Sequence, residues 1–187
     1  MVHSITYAQT IENLVDPSEH ERLFAAVEKL PAVKMKADFI EKYMNPKTKS
    51  FVERLVAFTC FEGILFSSSF ACIYYFKDKN LLPGVCQSNS LIATDEGMHA
   101  DFQIELYNNY VKKRLSDSEI HRIFREATET EFVFVRDSLP VALLGIDSVK
   151  MIAYVKSVAN FILKKMKHKK LFKEEETKHD LHFVDLI

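Results

Sequence analysis

The chain contains no tryptophan, only 4 glycines and 5 prolines in 187 residues, 3 cysteines, and a formal charge of -1 from 25 basic and 26 acidic side chains. Nine glycines and prolines together are too few to turn an all-β domain every 8–12 residues, so the scarcity points to helices. Three cysteines, Cys60, Cys72 and Cys86, are an odd number without metal-finger or disulfide-framework spacing. Along one continuous helix Cys60 and Cys72 would lie about 18 Å apart, too far to bond. The near-zero charge removes a global electrostatic case for nucleic acid or an anionic membrane. Residues 1–14 lack the basic head and apolar core of a secretory signal, which with the cysteine pattern favours a reducing, cytoplasmic setting.

What is present is apolar material, 48% of residues, in segments of helical period. These cover 2–14, 18–30, 32–44, 50–77, 85–113, 117–138 and 147–167, an all-α chain with no competing strand pattern. Their breaks are punctuated by Asp16-Pro17-Ser18, Pro31, Asn45-Pro46, Leu82-Pro83-Gly84, and Leu139-Pro140 followed by Gly145. Ser116 and Glu119 stand at capping-box spacing. The lysine-rich run from Lys164 to Glu176 reads as a solvated helix end, and His179 and His182 as part of a solvated tail.

The stretch Leu55 to Phe76 is 22 residues long with Glu62 as its only charge. Its length would cross a bilayer, but a central carboxylate and Ser67 to Ser69 oppose that, and the amphipathic neighbours suit a soluble bundle with this segment at its centre. Glu62 then needs a proton, a cation or a metal. Arg54 and Lys77 lie beyond the reach of i±3 or i±4 pairing, so the partner comes from another helix.

The following long helix offers Glu96 and His99 at i and i+3, on one face. One carboxylate and one imidazole at this spacing can hold a metal ion, and ferritin-like di-iron proteins combine two such pairs with two further carboxylates. The bland alternative is a surface Glu-x-x-His without metal. His3 and Tyr7, at i and i+4, read either as a surface pair at a frayed end or as a second imidazole ligand with a phenol one turn away. No glycine elbow, activated serine or phosphate-cradling loop supports hydrolase or nucleotide chemistry.

Three ordered motifs, ERLVAFTCFEGILFSSSFACI, SNSLIATDEGMHADF and DSLPVALLGID, resemble the small radical-generating subunit of class I ribonucleotide reductase, with likeness running from about Val2 to Phe172. The resemblance implies a ferritin-like helical bundle over residues 1–172 with a C-terminal tail at 173–187. It also implies a di-iron centre, with manganese an alternative metal, that oxidises a buried tyrosine and passes the radical equivalent to a large catalytic subunit. On this resemblance His3, Glu62, Glu96 and His99 are metal ligands and Tyr7 is the radical tyrosine. Phe66, Phe70 and Ile92 enclose the radical, and Asp95 orients an iron-bound histidine. Thr94 stands where the family usually has arginine.

Measured against the family, the chain is expected to be truncated at both ends. The bundle is incomplete at its N-terminus, where two further carboxylate ligands belong, and competence alone is not expected. Partners implied are the large subunit and a second small subunit, as a homodimer or as a heterodimer with a complete one, with neither nucleic acid nor membrane. The alternatives are a non-catalytic interaction protein that keeps the bundle and a ferritin-like protein holding one metal ion.

Overall fold

The computed structural model describes residues 2–139 and 146–184, so most of the third motif, Pro140 to Gly145, lies outside the described residues. Within them the order is α1 (Val2–Leu14), α2 (Pro17–Phe24), α3 (Ala26–Lys29), α4 (Pro31–Met44), α5 (Phe51–Gly63), α6 (Ser67–Asp78), α7 (Pro83–Asn109), α8 (Asp117–Ser138), α9 (Ser148–Lys165) and a 3₁₀ turn, Glu174–Thr177. No strand occurs among the described residues.

Local chemistry sets the boundaries. Ser50 with Glu53 and Ser116 with Glu119 form complete capping boxes at the starts of α5 and α8. Asp16 caps α2 and Asp147 caps α9, while prolines open α2, α4 and α7, where a missing N–H costs nothing. The segment expected over 18–30 divides at Ala25, whose N–H turns back to the carbonyls of Glu21 and Leu23. The long helix expected to reach residue 113 ends at Asn109. Beyond it Arg114 bonds the Asn108 side chain and the Met166 carbonyl, fastening the connection to the end of α9.

The larger correction concerns the apolar span. It is two helices, interrupted at residues 64–66. There the N–H of Leu65 bonds the carbonyl of Cys60 at 3.2 Å, one residue further back than α-helical pairing, so the turn widens. Cys60 and Cys72 therefore stand on separate helices, and all three cysteines are free thiols.

α5 is the central element, packed on α4, α7, α8 and α9. Its residues Leu55, Val56, Ala57 and Cys60 join Phe39, Tyr43, Ile104, Tyr107, Phe124, Met151 and Leu163 in one core. As in the soluble-bundle reading, 67% of the most apolar stretch within 51–78 is buried inside the molecule. At Gly63 the packing is close: a Cβ there would lie 2.5 Å from Ile162 Cδ1 of α9. Helix α1 is attached differently. It buries no residue, and it rests on α2 and α7.

Residues 171–184 are packed, contrary to a solvated tail. Phe172 and Leu181 are buried, and Phe183 and Val184 lie against the core. Asn160 of α9 receives the N–H groups of Leu171 and Phe172 at 2.9 and 3.1 Å and donates to the Phe172 carbonyl at 2.9 Å. His179 packs edge-on to Tyr154, and His182 reaches Asp78 at 3.3 Å. His168, expected in solvent with its lysine neighbours, is enclosed between the Tyr107 hydroxyl and Asp117, at 2.8 Å from each.

Candidate metal centre

The acid on α5 and the pair on α7 meet. Glu62 is 7% exposed, although nothing on its own helix neutralises it. A carboxylate oxygen of Glu62, one of Glu96 and an imidazole nitrogen of His99 all lie within 4.8 Å of one another. His99 Nδ1 stands 2.8 Å from Glu96 Oε2 and 3.9 Å from Glu62 Oε2. Glu96 and His99 share a face of α7 because they are separated by three residues, and α5 lays Glu62 against that face.

From α1, His3 reaches the edge of this cluster. Its Nε2 is 3.0 Å from Asp95 Oδ2, and its Nδ1 faces Glu96 Oε1 at 3.1 Å. A proton on Nε2, donated to Asp95, leaves the Nδ1 lone pair aimed at the Glu62–Glu96–His99 cluster. That is the arrangement by which a carboxylate fixes the tautomer of a ligating histidine. The histidine that Asp95 contacts is His3.

Electrostatics agree with a site short of positive charge. Burial, with a hydrogen bond to Glu96 and that residue's charge, pushes the Glu62 carboxyl up to about 8. Desolvation also acts on Glu96. It is outweighed there by the hydrogen bonds from Glu62 and His99 and by the two imidazoles, so the Glu96 carboxyl titrates below its ordinary value. Without a cation, one proton is shared between two acids that face each other. A divalent ion supplies the same neutralisation with more charge: the two carboxylates and the His99 imidazole are oxygen and nitrogen donors whose charge balances one such ion. Two ions would carry twice the positive charge these two carboxylates offer.

Tyr7 lies one turn beyond His3 on α1 and remains 38% exposed. Burial and the Glu96 charge hold its phenol above the ordinary tyrosine range. Phe70 and Ile92 form a small buried cluster with Ala93, backed by Phe66 and Tyr74. Phe66, Phe70 and Ile92 are therefore brought together, and Ile92 stands one helical turn before Glu96.

Residues that the sequence reading passed over lie at the other side of the α5–α6 break. Glu131 of α8 is fully buried, paired with Lys36 of α4 at 2.6 Å, and accepts from Ser68. A signal existed: Ile120, Phe124, Ala127, Glu131 and Val135 make one helical stripe, as do Ala32, Lys36, Phe39 and Tyr43, each with a single charge among apolar positions.

A helical bundle whose neighbouring helices converge carboxylates and imidazoles belongs to the ferritin-like class of folds. Comparison with known proteins gives the narrower assignment. The family model "Ribonucleotide reductase, small chain" matches residues 1–179, and the chain belongs to this family. It is 40% identical over 175 residues to the ribonucleoside-diphosphate reductase small chain of Spisula solidissima, covering 93% of this chain and 45% of that one. It is 42% identical over 187 residues to the small chain of Plasmodium falciparum (isolate Dd2), covering 100% and 52%. The chain thus spans about half the length of the curated relatives it matches. Among solved structures, that of the Rnr4 ribonucleotide reductase homodimer of Saccharomyces cerevisiae superposes with a TM-score of 0.79 at 30% identity, over 88% of this chain and 52% of that chain. A putative class I ribonucleotide reductase from Bacillus halodurans has the same fold at 21% identity, with a TM-score of 0.79, over 97% of this chain and 68% of that chain. The family implies a di-iron centre, and the Glu62–Glu96–His99 cluster is a set of residues that fits a metal ion.

Proposed function

We propose that this chain carries the carboxylate–histidine half of a ribonucleotide reductase small-subunit metal centre, with Glu62, Glu96, His99 and His3 as the ligands. The observation that supports this most is the buried, otherwise unneutralised Glu62 meeting Glu96 and His99 within 4.8 Å. When bound, iron supplies one-electron oxidising chemistry with oxygen, and manganese suits the same donors. The chain's residues do the rest. With its proton on Nε2, toward Asp95, His3 would turn Nδ1 to the metal beside Glu96. Tyr7 retains its phenolic proton at neutral pH, so removing an electron from it is coupled to removing that proton. Phe66, Phe70 and Ile92 furnish an apolar wall beside the site. In this reading the partners are the large catalytic subunit and a second small subunit, in the cytoplasm, and the product chemistry is conversion of ribonucleoside diphosphates to deoxyribonucleotides.

Charge balance limits what these 187 residues hold alone. They are expected to bind one divalent ion per chain at neutral pH and to give no stable tyrosyl radical after ferrous iron and oxygen are added. Metal analysis after gel filtration and electron paramagnetic resonance measure both. Glu62→Ala is expected to abolish binding. A wild-type chain that binds no iron or manganese, or a Glu62→Ala chain that binds as the wild type does, overturns the ligand assignment. A strong tyrosyl signal overturns the charge argument.

A further inference from the structure

A break in a buried helix leaves backbone groups that must find partners. At residues 64–66 the Ile64 carbonyl is met locally by the Ser67 N–H at 3.0 Å and the Ser67 hydroxyl at 2.7 Å, and further partners come from two other helices. Lys36 Nζ of α4 donates to the Leu65 carbonyl at 2.6 Å. Glu131 of α8 accepts the Ser68 N–H at 3.3 Å and the Ser68 hydroxyl. The residue preceding α6, Phe66, provides no side-chain cap, so the Glu131 carboxylate acts as one from a distance. Lys36 and Glu131 are themselves paired at 2.6 Å, and the ammonium lies 3.5 Å from the centre of the Phe134 ring. The pair, its two backbone partners and the ring tie α4 and α8 to the single interruption between α5 and α6.

The consequence for the metal centre is rotational. Successive residues of a helix are about 100° apart, so one extra residue in a turn rotates everything beyond it by about that much. Glu62 lies before the widened turn and faces Glu96 and His99, while Phe70 lies after it and packs on Ile92 of the same helix. Both halves of the span therefore face α7; Glu62 and Phe70, at i and i+8, would share one stripe of a regular helix too, so the break adjusts the direction of each half and does not choose its side. A buried ion pair adds little net stability compared with apolar residues of similar size, so its value here lies in specifying one geometry.

We infer that Lys36 and Glu131 are positioning residues for the metal centre: by holding the Leu65 carbonyl and the Ser68 N–H they keep the α5–α6 break open and aim Glu62 at Glu96 and His99. The inference rests on the ligand assignment proposed above. Its test compares the full chain with Lys36→Met/Glu131→Met, which replaces the charges with side chains of similar length, and with Lys36→Arg, which keeps the charge.

The methionine pair is expected to keep its α8–α9 core contacts by NMR but to bind Mn²⁺ about tenfold more weakly, as losses of ligand-supporting contacts commonly do. In the metal-free protein its nuclear Overhauser contacts between Glu62 and His99 are expected to disappear. Lys36→Arg should bind Mn²⁺ within about twofold of the wild type, since the cation that holds the Leu65 carbonyl remains. Wild-type Mn²⁺ affinity together with intact Glu62–His99 contacts in the methionine pair overturns the inference. Where that variant does not fold, Lys36→Met/Glu131→Gln, which retains a neutral acceptor for Ser68, is the arm to read, and undiminished Mn²⁺ binding there overturns it equally. A wild-type chain that binds no Mn²⁺ refutes the ligand assignment instead, and the metal-free Glu62–His99 contacts then decide the positioning role alone.

Discussion

At Gly63, beside the buried acid, two opposing effects meet on one carbon. Alanine is favoured over glycine by about 1 kcal/mol inside a helix, and by less at Gly63, the last residue of α5. Against that, a Cβ at this position meets Ile162 Cδ1 at 2.5 Å, with Ile162 Cγ1 at 3.6 Å and Ala100 Cβ at 3.8 Å. Overpacking of this kind costs about 1–3 kcal/mol, and Ile162 is buried, so steric cost wins. Gly63→Ala is expected to destabilise the chain by about 1 kcal/mol in urea unfolding. Ile162→Val removes the carbon that clashes. The double variant is therefore expected to be more stable than the sum of the two single changes implies, by at least about 0.5 kcal/mol. Simple additivity would show that α5 and α9 do not meet closely at this point. Glu62 is its neighbour, and α9 and α7 both come close to α5 at this carbon, Ile162 from the one and Ala100 from the other.

At the scale of elements, what could be read from residues alone depended on whether the determinant was local. Prolines and short capping motifs act within one turn, so the starts of α2, α4, α5, α7, α8 and α9 fall where those residues stand. Glu96 and His99 were legible for the same reason, as three-residue spacing alone puts both on one face. The α5–α6 break was not legible. Every residue from Leu55 to Phe76 except Glu62 is uncharged, and although Gly63 ends α5 and Ser67 bonds the Ile64 carbonyl, the other groups that hold the turn arrive from positions 36 and 131. His3 was ambiguous because its meaning depends on Asp95, which is 92 residues away.

The capping boxes carry a pH dependence with a definite sign. Hydrogen bonds from the Ser50 backbone, opposed by burial and aided by the Ser50 hydroxyl, hold the Glu53 carboxyl below its ordinary value. Those from the Ser116 hydroxyl and backbone do the same for Glu119. A carboxyl depressed in the folded state stabilises the fold above its unfolded pKa, about 4.3, and that contribution disappears as pH falls through the folded value. The chain is therefore expected to lose part of its urea resistance between about pH 5 and pH 3. Glutamine can still fill the third position of a capping box but does not titrate there. Glu53→Gln/Glu119→Gln should consequently flatten the acid limb while α5 and α8 still begin at the same residues. An acid limb as steep as that of the wild type would show that other carboxylates govern it.

For the molecule as a whole, the chain end closes the bundle. Residues 171–184 lie over α9, with Lys156 paired to Glu176 at 3.1 Å, Lys150 to Asp180 at 3.0 Å, and Phe172 and Leu181 in the core. Charged composition suggested solvent for this stretch because the apolar anchors are widely spaced and only the Asn160 side chain reveals that the backbone is held. That amide makes three bonds to Leu171 and Phe172, of which those to Phe172 are buried. Replacing it with alanine leaves two N–H groups and one carbonyl without protein partners, each costing about 1–3 kcal/mol when water cannot reach it. Water entry at the edge of the strap relieves part of this, so Asn160→Ala is expected to cost about 2–4 kcal/mol overall. The same change should free the strap before the bundle unfolds, giving proteolytic cleavage within 171–184 under conditions where the wild-type chain resists. Because α9 backs α5 at Gly63, strap release is also expected to weaken metal binding at Glu62 without touching a ligand. Protease resistance equal to wild type in Asn160→Ala would mean that the ion pairs and the two buried side chains suffice to hold the strap, and that the amide contributes only locally.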